Sequence, residues 1–259
     1  MPSPSLPFNY HIRPFQQRDL LGSHDVLLST VGDYGERFRG IFEHFINTDM
    51  SDIQKHYIDI KQSNFWCAIE GRPEEDTGVV IGIVGVRPLS VASFDYYTEC
   101  LNYEDPEIIP FDPRTTAELN RLAVSPRVRY HGIARALIDT LVAWCFKNSY
   151  EFIHLVTSSL PSSASKFYLR CGFFRYRISR HCYENYELKH GNQEAKLFND
   201  QLRLEGRGQL LESKFNVSAD EIPDDSDIVS IDNAKKSAVA WMSHFYLPIN
   251  KPDKSMIVE

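Results

Sequence analysis

Apolar residues at Phe38, Ile41, Phe42, Phe45 and Ile46 recur at helical spacing and predict a core-facing stripe. Upstream, Tyr10–Phe15 reads as a short strand, and the polar run Gln16–Asp19 leads into that helical region. Two β-branched and aromatic runs follow, NFWCAIE over Asn64–Glu70 and VVIGIVGVR over Val79–Arg87. The turn-forming acidic loop GRPEEDTG joins them, so the pair predicts a β-hairpin. Pro88–Thr116 is aromatic and acidic and carries Pro106, Pro110 and Pro113. It predicts no regular element and is a candidate excursion over a binding site or an interaction loop.

The second half alternates more regularly. Ala117–Val124 reads as a strand, and Ile133–Lys147 as a helix whose apolar stripe is Ile133, Leu137, Leu141, Trp144 and Cys145. Phe152–Thr157 predicts a buried strand and Ser162–Cys171 a helix stopped by Gly172. Two further strands are predicted over Phe173–Ile178 and Tyr183–Leu188. Such alternation implies an α/β fold in which helices cover a mixed sheet. Beyond Lys189 the composition shifts. Glu194–Leu211 is a charged helical candidate, SADEIPDDSD an acidic linker, and Asn233–Phe245 a final helix presenting Trp241, Met242, Phe245 and Tyr246.

Composition narrows the function classes. The 259 residues are 42% hydrophobic and 24% charged, an ordinary globular balance. With 28 Lys plus Arg against 35 Asp plus Glu, the net charge of -7 offers no global field for nucleic acid. The cysteines Cys67, Cys100, Cys145, Cys171 and Cys182 are odd in number and contain no CxxC pair. Neither a disulfide framework nor a zinc ribbon is indicated, and no metal is expected. No basic leader or long apolar run appears, so a cytoplasmic protein, or a nuclear one, without membrane contact is expected.

The chemistry concentrates where a strand exits through a loop into a helix, over VSPRVRYHGIARAL from Val124 to Leu137. Gly132 removes a side chain where a ligand would approach, and Ala134 keeps the same surface small. The first helical turn points unpaired amides and its positive dipole end outward, which suits a diphosphate. Each dipole contact contributes roughly 0.3 to 2 kcal/mol, with Arg127, Arg129 and Arg135 as supporting charge. A second block, SSASKFYLRCGF over Ser162–Phe173, follows the next strand.

These blocks, in this order, resemble motifs A and B of the GNAT acyltransferase superfamily. Arg129, Gly132 and Ala134 occupy the three defining positions of motif A, and Tyr168 with Gly172 and Phe173 those of motif B. Within that superfamily NFWCAIE, ELNRLAV and HGIARALI look most like the camello-type acetyltransferases. The resemblance implies a mixed, mostly antiparallel sheet of about six to seven strands flanked by helices. It divides the chain into a tail over 1–8, a GNAT domain over 9–189 and a C-terminal extension over 190–259, a candidate surface for a protein partner or a dimer.

The resemblance also implies a function: transfer of an acetyl group from acetyl-CoA to a primary amine by direct attack in a ternary complex. Leu122, Ala123 and Val124 at the strand exit, with Arg129, Tyr130, His131, Gly132, Ile133, Ala134 and Arg135 in the loop and first turn, would hold acetyl-CoA. A backbone N–H near Leu122 would stabilise the oxyanion, because family members splay the fourth and fifth strands. An amine of pKa about 10.4 is less than about 0.1% neutral at pH 7, so a base is required. Glu118 matches the family's general-base glutamate. By period-two alternation it shares a face with Asn120, Leu122 and Val124. Alternatively, Glu118 is a surface or edge-strand carboxylate that merely binds a cationic substrate or pairs with Arg121. Tyr168 matches the residue that protonates the departing thiolate; its alternative is a core aromatic.

Departures exist. Pro161 stands where many members carry a cofactor-contacting asparagine, and Tyr130 replaces the usual glycine after Arg129. With His131 it would tighten or block part of the phosphate cradle. His131 otherwise reads as a solvated loop histidine, His154 as a core histidine, and Cys171 as helix-end packing. The competing reading is a degenerate relative that binds acyl-CoA as a sensor or scaffold. A dinucleotide oxidoreductase lacks its GxGxxG fingerprint here.

Overall fold

Asp19 decides how the chain leaves its first strand. Arg13 donates from Nη1 and Nη2 to its carboxylate at 2.6 and 2.9 Å, and the Gln16 N–H donates at 2.8 Å. Fully buried, this carboxylate is held by charge-assisted bonds that end β1 (Tyr10–Pro14) and launch α1 (Leu20–Ser29). In this computed structural model the described residues are 8–34, 38–75, 78–89, 112–158, 162–184, 187–190 and 237–249. The chain divides into two units, Met1–Arg87 with Leu119–Ala143, and Pro88–Glu118 with Trp144–Glu259.

The first unit contains the predicted hairpin. β2 (Asn64–Glu70) pairs antiparallel with β1, Tyr10 opposite Glu70, and with β3 (Val80–Pro88), Asn64 opposite Val86. The strand order here is β1-β2-β3-β4, where β4 spans Thr116–Val124 and belongs to this unit from Leu119 onward. Two short helical pieces, α2 (Val31–Tyr34) and α3 (Arg39–Asn47), precede β2. Phe38, Ile41 and Phe42 are buried as predicted, whereas Phe45 and Ile46 are half-buried. Of the predicted stripe on α4 (Ile133–Lys147), Ile133, Leu137, Leu141 and Cys145 are buried and Trp144 is half-buried.

Glycines on β3 let larger groups come close. A Cβ on Gly82 would meet side-chain atoms of Ile133 and Leu137 at 3.1 Å, so the bare backbone lets α4 lie against the strand. A Cβ on Gly85 would meet the Tyr57 ring at 2.6 Å and the Phe65 ring at 2.9 Å. Tyr57 itself is fully buried on a π-helical turn, Gln54–Ile58. Replacing Gly85 with alanine is therefore expected to destabilise folding by about 1–3 kcal/mol through overpacking. Urea unfolding would show it as a lowered midpoint with an unchanged slope.

In the second unit the order is β4-β5-β8-β6-β7. β4 enters it as Thr116–Glu118, pairing in parallel with β5 (Phe152–Ser158), Thr116 opposite Phe152 and Glu118 opposite His154. β8 (Ser237–Pro248) runs antiparallel between β5 and β6 (Phe174–Glu184), and β7 (Glu187–His190) hairpins onto β6. The mixed sheet with helices is the class expected from sequence, and eight strands are described.

Three expectations change. The final helix predicted over Asn233–Phe245 is strand β8 from Ser237 onward. Ser243, His244 and Phe245 are all buried there, so both faces of the strand are covered and the period-two signature is lost. The boundary placed at residue 189 does not close the sheet, because β8 supplies the link between β5 and β6. The two strands predicted over Phe173–Ile178 and Tyr183–Leu188 are instead one long β6 and a short β7. Most of the Pro88–Thr116 excursion, the Glu194–Leu211 helix, the acidic linker and Pro161 lie outside the described residues.

Candidate active site

The loop predicted to cradle a diphosphate begins with a single 3-10 turn, Pro126–Val128, closed by the Val128 N–H donating to the Ser125 carbonyl at 3.0 Å. Tyr130 (φ 68°) and Gly132 (φ 80°) then adopt left-handed conformations that turn the backbone into α4. Glycine does this freely; tyrosine does so at a cost of about 1–2 kcal/mol. Ala136 N–H donates to the Gly132 carbonyl at 3.0 Å, so the amides of Ile133, Ala134 and Arg135 precede the helical ladder. Left-handed turns ahead of a helix start form the kind of amide nest that receives anions.

Tyr130 and His131, the side chains expected to tighten or block the cradle, both lie at the surface. Tyr130 is fully exposed, and His131 is exposed with its ring 4.8 Å from that of Phe8. Among the described residues other than its chain neighbours, a Cβ on Gly132 would find only the Tyr10 hydroxyl, at 3.9 Å.

The arginines expected as supporting charge each have a carboxylate partner. Arg129 pairs bidentately with Asp33 at 2.9 and 2.5 Å, and its Nε reaches the Val124 carbonyl at 3.4 Å. Arg127 grips Glu70 at 3.0 and 2.6 Å, and Arg135 pairs with Asp139 one turn along α4 at 2.9 Å. Local positive charge is thus largely balanced.

On β4 the alternation fails at one residue. Arg121 has φ 56°, a left-handed conformation inside a strand, as at a β-bulge. Leu122 and Val124 therefore cannot be assigned by parity to the face of Glu118, which corrects the sequence reading. Glu118 is 6% exposed, so it is not a surface carboxylate. Arg121, its other suggested partner, gives Nε and Nη2 to Asp49, at 2.9 and 2.7 Å. The recorded parallel pairing of β4 with β5 extends from Thr116 to Glu118, while β4 itself continues to Val124.

Asp49 is the centre of a network that the sequence did not announce. It accepts from the Tyr57 hydroxyl at 2.5 Å as well as from Arg121. The Arg121 guanidinium lies 3.7 Å over the Phe45 ring, and that of Arg87 lies 5.1 Å over Tyr57. Burial works to raise the Asp49 pKa, but the charge and hydrogen bonds of Arg121, helped by Tyr57 and Arg87, hold it below the usual carboxylate value. No motif or periodicity links these residues.

Tyr168 sits on α5 (Ser162–Arg170), whose end explains the Tyr-x-x-x-Gly-Phe spacing. Gly172 (φ 91°) closes the helix in a Schellman arrangement. Its N–H donates to Leu169 at 3.0 Å, and the Phe173 N–H reaches back to Tyr168 at 3.1 Å. That geometry folds Phe173 onto the Tyr168 ring, centroids 5.6 Å apart, and Phe245 of β8 packs at 5.7 Å. Cys171 lies in the same turn, and its N–H bonds to the carbonyls of Phe167 and Tyr168. Cys67 and Cys145 are buried, which pushes the Cys67 thiol up to about 12 and Cys145 also upward, away from the reactive thiolate form. His154 is fully buried, as a core histidine is.

The sequence matches the Acetyltransferase (GNAT) family over residues 33–173, more than half of the chain and including both blocks. The chain belongs to the GNAT acetyltransferase family. Among its relatives is mouse N-acetyltransferase 8, 33% identical over 128 residues, or 49% of this chain and 46% of that protein. Another is the probable N-acetyltransferase camello of Xenopus tropicalis, 27% identical over 155 residues, or 59% of this chain and 58% of that protein. The chain thus spans about half the length of the curated relatives it matches. A solved structure of a probable acetyltransferase from Staphylococcus epidermidis has a similar fold, with a TM-score of 0.52 at 12% identity, covering 93% of this chain and 100% of that one. A GNAT-family acetyltransferase from Staphylococcus aureus scores 0.50 at 13% identity, with the same coverage. No helix among the described residues of this GNAT protein is long and apolar enough to cross a membrane.

Proposed function

We propose that this GNAT protein is an N-acetyltransferase that moves an acetyl group from acetyl-CoA to a primary amine in a ternary complex. The observation that carries the reading is the exposed pair of left-handed turns at Tyr130 and Gly132 feeding the amide-rich start of α4. These amides would hold the diphosphate of the cosubstrate, with Leu122, Ala123 and Val124 along its pantetheine arm. Glu118 accepts the proton of the acceptor amine. The freed nitrogen lone pair forms the new bond to the thioester carbonyl carbon, and the carbon–sulfur bond breaks. Tyr168 gives its phenolic proton to the departing sulfur and is reprotonated from solvent. The Leu122 amide donates to the carbonyl oxygen while it carries negative charge. No covalent enzyme intermediate is needed, in keeping with the raised thiol pKa values.

Isotope-labelled acetyl-CoA offered with a panel of amines, from polyamines to lysine peptides, tests the reading. Label appearing on an amine supports it; tight acetyl-CoA binding without transfer to any amine supports a sensing or scaffolding relative. Gly132→Ala sharpens the binding arm. With φ at 80°, an added methyl strains the left-handed turn and would enlarge the surface that the cosubstrate is proposed to approach. The dissociation constant for acetyl-CoA is expected to rise about tenfold, equivalent to ~1.4 kcal/mol. Calorimetric titration reading an unchanged constant would remove the loop from the binding site.

A further inference from the structure

The left-handed residue inside β4 is an arginine, which gains nothing from that conformation by itself. What holds it is the far end of its side chain. Both carboxylate oxygens of Asp49 receive the Arg121 guanidinium, whose Cζ lies over the Phe45 ring, 3.7 Å from its centroid. Asp49 in turn is fixed by the buried Tyr57 hydroxyl, and Gly85 makes room for the Tyr57 ring. Side-chain exposure is 17% for Arg121 and 11% for Asp49, so the pair is largely shielded from screening by water. With its oxygens occupied by Arg121 and Tyr57, Asp49 is poorly placed to bind a substrate cation. Its evident work is on the strand.

We propose that Asp49 and Arg121 are positioning residues: their ion pair holds β4 in the left-handed turn at residue 121 and so aims the neighbouring Leu122 amide at the acetyl carbonyl oxygen. This inference rests on the acetyl-transfer reading and adds to it a device that lies 72 residues away in sequence from the strand it controls. Releasing the clamp lets residue 121 return to an extended conformation, which flips the peptide unit that carries the donor. The diphosphate grip around Gly132 is built separately and is retained. Loss therefore falls on kcat and not on the KM for acetyl-CoA.

Arg121→Gly, Arg121→Ala and Asp49→Asn form the test. Glycine removes the clamp but still visits the left-handed region freely; alanine removes the clamp and resists that region. The expected order of kcat is wild type, then Arg121→Gly, then Arg121→Ala, with Asp49→Asn also reduced. A loss of about tenfold or more is expected for the alanine variant, short of the 100-fold typical of deleting an oxyanion donor. KM for acetyl-CoA should stay within about threefold throughout, because that binding energy is supplied elsewhere. Should Arg121→Ala fail to fold, Arg121→Gly against Asp49→Asn still separates backbone from charge. Equal kcat in wild type and folded variants overturns the proposal, as does equal loss in the glycine and alanine variants. A wild-type protein that transfers no acetyl group overturns the function itself and this inference with it, a failure visible before any variant is made.

Discussion

Glu118→Gln is expected to lower kcat for acetyl transfer by about 100- to 10,000-fold near neutral pH, the range by which a positioned base accelerates proton transfer. In the proposed mechanism the amine acceptor arrives protonated, and glutamine fills the same buried space without accepting its proton. In the variant only the small neutral fraction of amine reacts, so its rate should climb steadily with pH toward the amine's own pKa, about 10 for a lysine-like acceptor. The wild-type rate should flatten much earlier. Acetyl-CoA affinity should be unchanged, because the carboxylate makes no part of the diphosphate grip. A pH–rate profile for the variant that parallels the wild type, with kcat within a few-fold, would show that Glu118 is not the base.

Tyr168→Phe should cost about 100-fold in kcat, at the lower end of general-acid effects. Phenylalanine keeps the packing against Phe173 and Phe245, and the Schellman bonds at Gly172 involve only the backbone, so stability should change little. The deficit should narrow above about pH 8.5, where a thiol resembling cysteine leaves comfortably as thiolate. Measurement of kcat from pH 6 to 9.5 alongside thermal melting tests both claims. A fall in melting temperature with intact kcat would make Tyr168 a core aromatic and nothing more.

The site was legible in the sequence where its geometry is local. The backbone of the loop from Ser125 to Ala136 and of the Tyr168-to-Phe173 turn is closed by hydrogen bonds between residues within a few positions of one another. Residue types therefore report conformation there directly. At Arg121 this logic failed: ELNRLAV reads as an uninterrupted strand, and nothing in those residues demands a left-handed turn. Its cause is Asp49, in the turn after α3. The same holds for the arginines around the loop, whose partners Asp33 and Glu70 come from α2 and β2. Charge counted along the chain looked available; folded, it is paired.

Sequence by itself determined the hairpin of β2 and β3, the amphipathic α4, and the glycine turn that enters that helix, because hydrophobic period and turn chemistry are short-range properties. Tertiary structure alone decided that Ser237–Pro248 is a strand between β5 and β6, since Trp241, Met242, Phe245 and Tyr246 suit a helix or a doubly covered strand equally well and the choice falls to the strands waiting beside them. It alone decided the bend at Arg121, because the ion pair that holds it forms only when distant segments meet.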